Sequence, residues 1–89
     1  MGLDAVEIVL WAEKEFEITI ADAEAGEVSI IGDFCQLIFK QLVLKNGLKN
    51  TISEEVIYNK IKQMLIKQYA VKGNIISRHA KFIQDLRLE

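Results

Sequence analysis

The 89-residue sequence contains no proline, one cysteine and one histidine. The absence of proline removes the residue that most strongly breaks helices. A single cysteine, Cys35, cannot close an internal disulfide, and with His79 alone beside it no Cys/His zinc site can be assembled. Aromatic residues are sparse at 8%, which together with the missing proline favours helices over a β-sandwich. No stretch approaches the roughly 18 uncharged apolar residues of a membrane span. The nearest, from Ile30 to Leu44, is broken by Asp33, Gln36 and Lys40. The start shows no basic segment leading into a hydrophobic one, so a cytoplasmic protein is expected. Paired carboxylates, a Gly-rich phosphate loop and a nucleophile beside a base are also missing, so no enzyme is expected; His79 reads as loop structure.

What is present is apolar: 51% of residues, ample for one modest core in one domain. Net charge is −2 but unevenly placed. Residues 1–45 hold three Lys/Arg and nine Asp/Glu, net −6; residues 46–89 hold eight and four, net +4. Such a split either presents an acidic face to basic partners or merely solvates two sets of helices. The lysines are dispersed and lack interleaved aromatics, so nucleic acid is not an expected partner.

Periodicity predicts three principal helices and one or two short ones, an all-α bundle. The first covers about Leu3 to Phe16, with Leu3, Val6, Val9 and Leu10 as its apolar stripe and Asp4 and Glu7 near its positive end. A loop through Ile18–Ile20 leads to a short helical turn ending at Gly26. The next helix runs to about Lys45, with Ser29 as N-cap, Ile31, Phe34, Cys35, Ile38 and Leu42 as its stripe, and Asn46-Gly47 as its stop. Ser53, or Thr51 in capping-box spacing with Glu54, opens the longest helix. Its stripe is Ile57, Ile61, Met64, Leu65 and Gln68, and Gly73-Asn74 closes it. The remainder reads as a long loop with a turn at Ser77 to Ala80. Cys35 falls on an apolar face and reads as a small buried hydrophobe. Trp11 reads as packing, with an exposed partner contact as the alternative.

The two ends read as neighbours. Leu3-Asp4-x-Val6-Glu7-Ile8-Val9 looks like the continuation of Phe82-Ile83-x-Asp85-Leu86-Arg87-Leu88-Glu89. Joined tail to head, they resemble the modification-site signature of acyl carrier proteins, an acidic D-L-G-x-D loop followed by S-L-D-x-V-E-[LI]-V. Glu13-Lys14-Glu15-Phe16-Glu17-Ile18 is similar to the E-E-x-F-x-[IV] ending that family's recognition helix. Ile20-Ala21-Asp22 sits at its I-P-D, and Ser29-Ile30-Ile31-Gly32-Asp33 resembles the start of its last helix. The order is rotated. Residues 1–45 resemble the family's second half, 46–51 a joining loop, and 52–89 its first half. Short loops are cheap to close and nearby termini tolerate such rewiring. Whether the rearrangement is natural or made by design stays open, as does whether Leu88-Glu89 is a cloning remnant.

The resemblance implies a carrier of acyl chains on 4′-phosphopantetheine, in fatty acid or related biosynthesis. It also implies phosphopantetheinyl transferase and acyl-processing enzymes as partners. The family's serine position falls at Gly2, beside Leu3 and Glu89, and glycine has no hydroxyl to esterify. The expectation is therefore an unmodified chain without the arm. Ser29, Ser53 and Ser77 are poor substitutes. By position, the family's docking acids carry over to Asp4, Glu7, Glu13 and Glu89, with Lys14 departing from the usual acid. A helical interaction module with no carrier role is the alternative. A monomer is expected, with a dimer that exchanges residues 1–45 and 52–89 as the other outcome.

Overall fold

The computed structural model describes residues 3–82 and 84–88, of which Leu3 and Asp4 are described for their backbone alone. Its elements are α1 (Leu3–Phe16), a short α2 (Asp22–Gly26), α3 (Ile31–Asn46) and α4 (Glu54–Tyr69). Single 3₁₀ turns occupy Gly47–Lys49 and Gly73–Ile75. No strand occurs among the described residues. This is the small all-α bundle, three long helices and one short, that the periodicity predicts.

Helix α3 is the centre of the bundle and packs against both α1 and α4. It buries Ile31, Phe34, Cys35, Ile38 and Leu42, the stripe read from the sequence. Two contacts place α1 antiparallel to α4. Lys60 Nζ meets Glu15 Oε1 at 3.2 Å, and Tyr69 Oη donates to Glu7 Oε2 at 3.1 Å. At the other side, Lys45 near the end of α3 donates to the carbonyl of Glu17 just past α1, so α1 and α3 run in the same direction. Lys40 pairs with Glu24 of α2 at 3.4 Å. Both ion pairs are exposed, and each contributes about 0–1 kcal/mol. The apolar faces therefore hold the bundle together.

Several local expectations are corrected. Helix α1 buries Ile8, Ala12 and Phe16 rather than the Val6/Leu10 edge, which is 47% and 58% exposed. Apolar residues surround so much of this helix that two stripes coexist, and the one spaced i, i+4, i+8 faces the core. The N-cap of α3 is Ile30, not Ser29, and no side chain caps it. Its first amides instead find carbonyls of the C-terminal loop: Ile31 N–H on Ala80 at 3.1 Å and Gly32 N–H on Arg78 at 2.8 Å. Helix α4 is capped by Ser53, whose Oγ accepts from Val56 N–H at 3.3 Å; the Thr51–Glu54 box is not built.

Helix α4 also stops earlier than Gly73-Asn74. Ala70 takes a left-handed φ of 54°, and its N–H and that of Val71 both return to the carbonyl of Leu65. Burying Val71 against the core outweighs the cost of alanine in that conformation. Gln68 is exposed and does not belong to the buried stripe. Asn46-Gly47 does end α3, with Gly47 at φ 59°.

Candidate functional site: an apolar cavity between α1 and the C-terminal loop

The loop that follows α4 returns across the start of α3. Ile30 and Lys81 form an isolated antiparallel bridge, and Phe82 N–H donates to the Ser29 carbonyl at 3.1 Å. Tyr58 Oη reaches the Ile76 carbonyl at 3.3 Å, and Arg78 lies over the Tyr58 ring at 5.0 Å, a cation–π contact. These bonds fix residues 76–82 against α3 and α4. Phe82 is thereby set edge-on to Phe34, centroids 5.9 Å apart and rings at 84°.

Between this loop, the first half of α1 and the end of α2 lies a cavity of about 390 Å³. Ala5, Ile8 and Val9 line it from α1, Ala25 and Val28 from the α2 end, Phe34 from α3, and Phe82 from the loop. Ser29, Lys81 and Gln84 are its polar margin. A pocket of this size with an apolar wall and polar groups at one edge suits an aliphatic guest. It also brings α1 near its beginning and the chain near its end to one place. Sequence reasoning supplied the neighbouring ends but not the cavity, whose wall comes from four separated segments.

Gly32 is what allows the loop to approach. A Cβ there would lie 2.9 Å from the Arg78 carbonyl oxygen and 3.6 Å from the Arg78 Cβ. Gly32→Ala is expected to lower unfolding free energy by about 1–3 kcal/mol, because a backbone oxygen cannot move aside cheaply. Amide exchange at Ile31, Gly32 and Phe82 should accelerate together. Unchanged stability and exchange would mean that the loop does not cap α3.

Of the sequence-derived docking acids, the two whose side chains are described, Glu7 and Glu13, do not share one patch. Glu13 is half-buried, and its Oε2 accepts the Ile20 N–H at 2.9 Å while its carbonyl accepts from Ile18. It clamps the turn after α1. Glu7 is exposed, flanked by the exposed Val6 and Leu10, and lies roughly 120° around the helix from Glu13. The side chain of Asp4, and all of Gly2 and Glu89, lie outside the described residues, as does the side chain of Leu3. Trp11 is half-buried and stacks edge-on against Phe16 at 5.8 Å, the packing role read for it. Cys35 is fully buried, and loss of solvation pushes its thiol up to about 11. Ser29, Ser53, Ser77 and His79 are exposed. No metal-binding cluster occurs among the described residues.

A small helical bundle with an apolar cavity between α1, the end of α2 and the C-terminal loop is what these elements define. A stretch of 39 residues is 46% identical to a protein of Schizosaccharomyces pombe described as "Putative acyl carrier protein, mitochondrial". The match covers 44% of this chain and 35% of that protein, so the chain spans about a third of the relative's length. It supports a partial relationship to acyl carrier proteins. No family profile matches the chain, and no solved structure matches it. Among the described residues, no helix is long and apolar enough to cross a membrane.

Proposed function

We propose that this chain is an acyl-carrier-like domain in permuted order that does not receive the 4′-phosphopantetheine arm. The observation that carries the reading is the cavity, because it joins the start of α1 to the chain's closing loop. In an unpermuted carrier those two segments would be consecutive. The partial match to an acyl carrier protein supports the same relationship. Gly2, at the position of the family's serine, is the reason modification is not expected. Non-catalytic carriage or docking is the role that remains, in the aqueous cytoplasm.

The partners that follow are phosphopantetheinyl transferase and acyl-processing enzymes that present basic surfaces. Their contact is the exposed edge of α1, Val6, Glu7 and Leu10, rather than Glu13, because Glu7 stays exposed while accepting from Tyr69 Oη and Glu13 is half-buried on the Ile20 amide. Single exposed charges contribute about 0–1 kcal/mol each and are screened by salt, so binding is weak and falls with ionic strength.

Incubation with a phosphopantetheinyl transferase and coenzyme A is expected to leave the intact mass unchanged. In the same mixture, Glu7→Lys should weaken transferase binding several-fold at low salt. A mass gain of one arm would overturn the unmodified reading. Binding indifferent to Glu7→Lys would remove α1 as the docking edge, and the chain would then be better described as a helical interaction module.

A further inference from the structure

Around the turn between α3 and α4, three apolar side chains are exposed and a fourth, Ile52, is packed in part against the core. Leu44 is 70% exposed, Leu48 107% and Val56 41%, while Ile52 is half-buried. All four are spaced by four residues, across the end of α3, the 3₁₀ turn and the start of α4. In the observed turn the chain reverses, so they cannot form one face. In a continuous helix each step of four residues precesses about 40°, and the row would occupy an arc of about 120°. That is the width of a core-facing helical stripe.

We propose that this turn is a hinge through which two copies exchange halves. In the exchanged dimer α3 runs on into α4 as one helix. The unit 1–46 of each chain packs on 54–88 of the other, and the two hinge helices cover each other with Leu44, Leu48, Ile52 and Val56. The pairing is isologous, so the same row serves both copies. The occupant is a second copy because exchange re-forms the α3–α4 interface between chains and buries Leu44, Leu48 and Val56 at the hinge, at the cost of the core packing Ile52 has in the closed chain. The proposal does not depend on the carrier reading.

The closed turn rests on few supports. Gly47 adopts φ 59°, ψ −134°, a region that residues with a Cβ rarely enter. Asn50 pins the turn through Nδ2 on the Ile52 carbonyl at 3.0 Å and Oδ1 on the Ile52 N–H at 3.2 Å. Ser53 supplies the α4 cap. Opening sacrifices these and threads Gly47, Asn50 and Ser53, all poor helix formers, into a helix. The monomer therefore dominates in dilute solution and the dimer gains by mass action. No proline stands in the hinge to forbid the continuous helix.

Light scattering after gel filtration tests the exchange, with the wild type, Gly47→Ala, Asn50→Ala and Leu48→Lys compared from micromolar to millimolar concentration. A dimer that grows with concentration is expected in the wild type. Gly47→Ala should raise its fraction several-fold, and Asn50→Ala plays the same part if Gly47→Ala does not fold. Leu48→Lys should lower the association constant about tenfold or more while leaving the monomer folded, because that side chain is free in the monomer. In a mixture of isotope-labelled and unlabelled dimer, NOEs between α3 and α4 methyls should connect different chains. A wild type and loosened variants that stay monomeric at millimolar concentration would overturn the proposal. So would a dimer whose α3–α4 NOEs remain within one chain.

Discussion

Iodoacetamide at neutral pH is expected to label Cys35 in the folded chain at least on the order of a thousandfold more slowly than in the urea-unfolded chain. Two effects combine. The side chain has no exposed surface, so reaction waits for opening, and opened fractions of marginally stable domains are about 10⁻³ or less. The thiol is also pushed from 9.0 to about 11, chiefly by desolvation, with Glu54 adding to the rise and Arg78 opposing it. The thiolate is the reacting species, so the closed state adds little reaction of its own and labelling proceeds through the opened one.

The same shift fixes an alkaline dependence. Below about pH 9 the thiol is protonated in both states, and folding gains or loses nothing from it. Between about 9 and 11 the unfolded chain releases the proton while the folded chain keeps it. The unfolded state is favoured there, and stability declines as pH rises. Comparing Cys35→Ala with the wild type isolates this contribution from lysine and tyrosine titration, and the variant should decline less steeply. Equal slopes, or labelling as fast as in urea, would show that Cys35 does not lie on the buried face of α3.

Phe34→Ala is expected to lower unfolding free energy by about 3–5 kcal/mol. The ring is 2% exposed, one of the largest fully buried side chains, and meets Phe82 edge-on. Its loss removes transfer free energy, a ring pair and part of the wall of the apolar cavity, which then widens. Domains of this size hold about 5–15 kcal/mol in total, so a large share is lost in one substitution. Urea unfolding should show a lower midpoint with little change in slope. A loss under about 1 kcal/mol would place the ring outside the core.

Much of the fold is legible where a helix has one unambiguous apolar stripe. Ile31, Phe34, Cys35, Ile38 and Leu42 repeat at helical spacing with Asp33, Gln36 and Lys40 on the opposite face, and all five are buried. In α1 the pattern is degenerate. Val6 and Leu10 compete with Ile8, Ala12 and Phe16, and only tertiary packing decides between them. Ser29 has the chemistry of a cap but sits one residue too early, and carbonyls distant in sequence serve instead. The end of α4 follows Val71 into the core rather than the glycine that follows. The cavity wall was less legible, because Val9, Val28, Phe34 and Phe82 share no local period. By position Glu13 is a docking acid, yet its carboxylate near the end of α1 meets a turn amide that no sequence pattern announces.

The carbonyls of Arg78 and Ala80 that terminate the amides of α3 have a consequence for biosynthesis. During translation, α3 is made long before those carbonyls exist, and at about 5–20 residues per second the interval is several seconds. Through that interval the beginning of the central helix has only solvent for its free amides, and its apolar stripe lacks α4. A nascent chain of this kind frays at Ile31 until its last turns arrive, so ribosomal pausing after α3 should prolong exposure to chaperones and proteases more than a pause elsewhere.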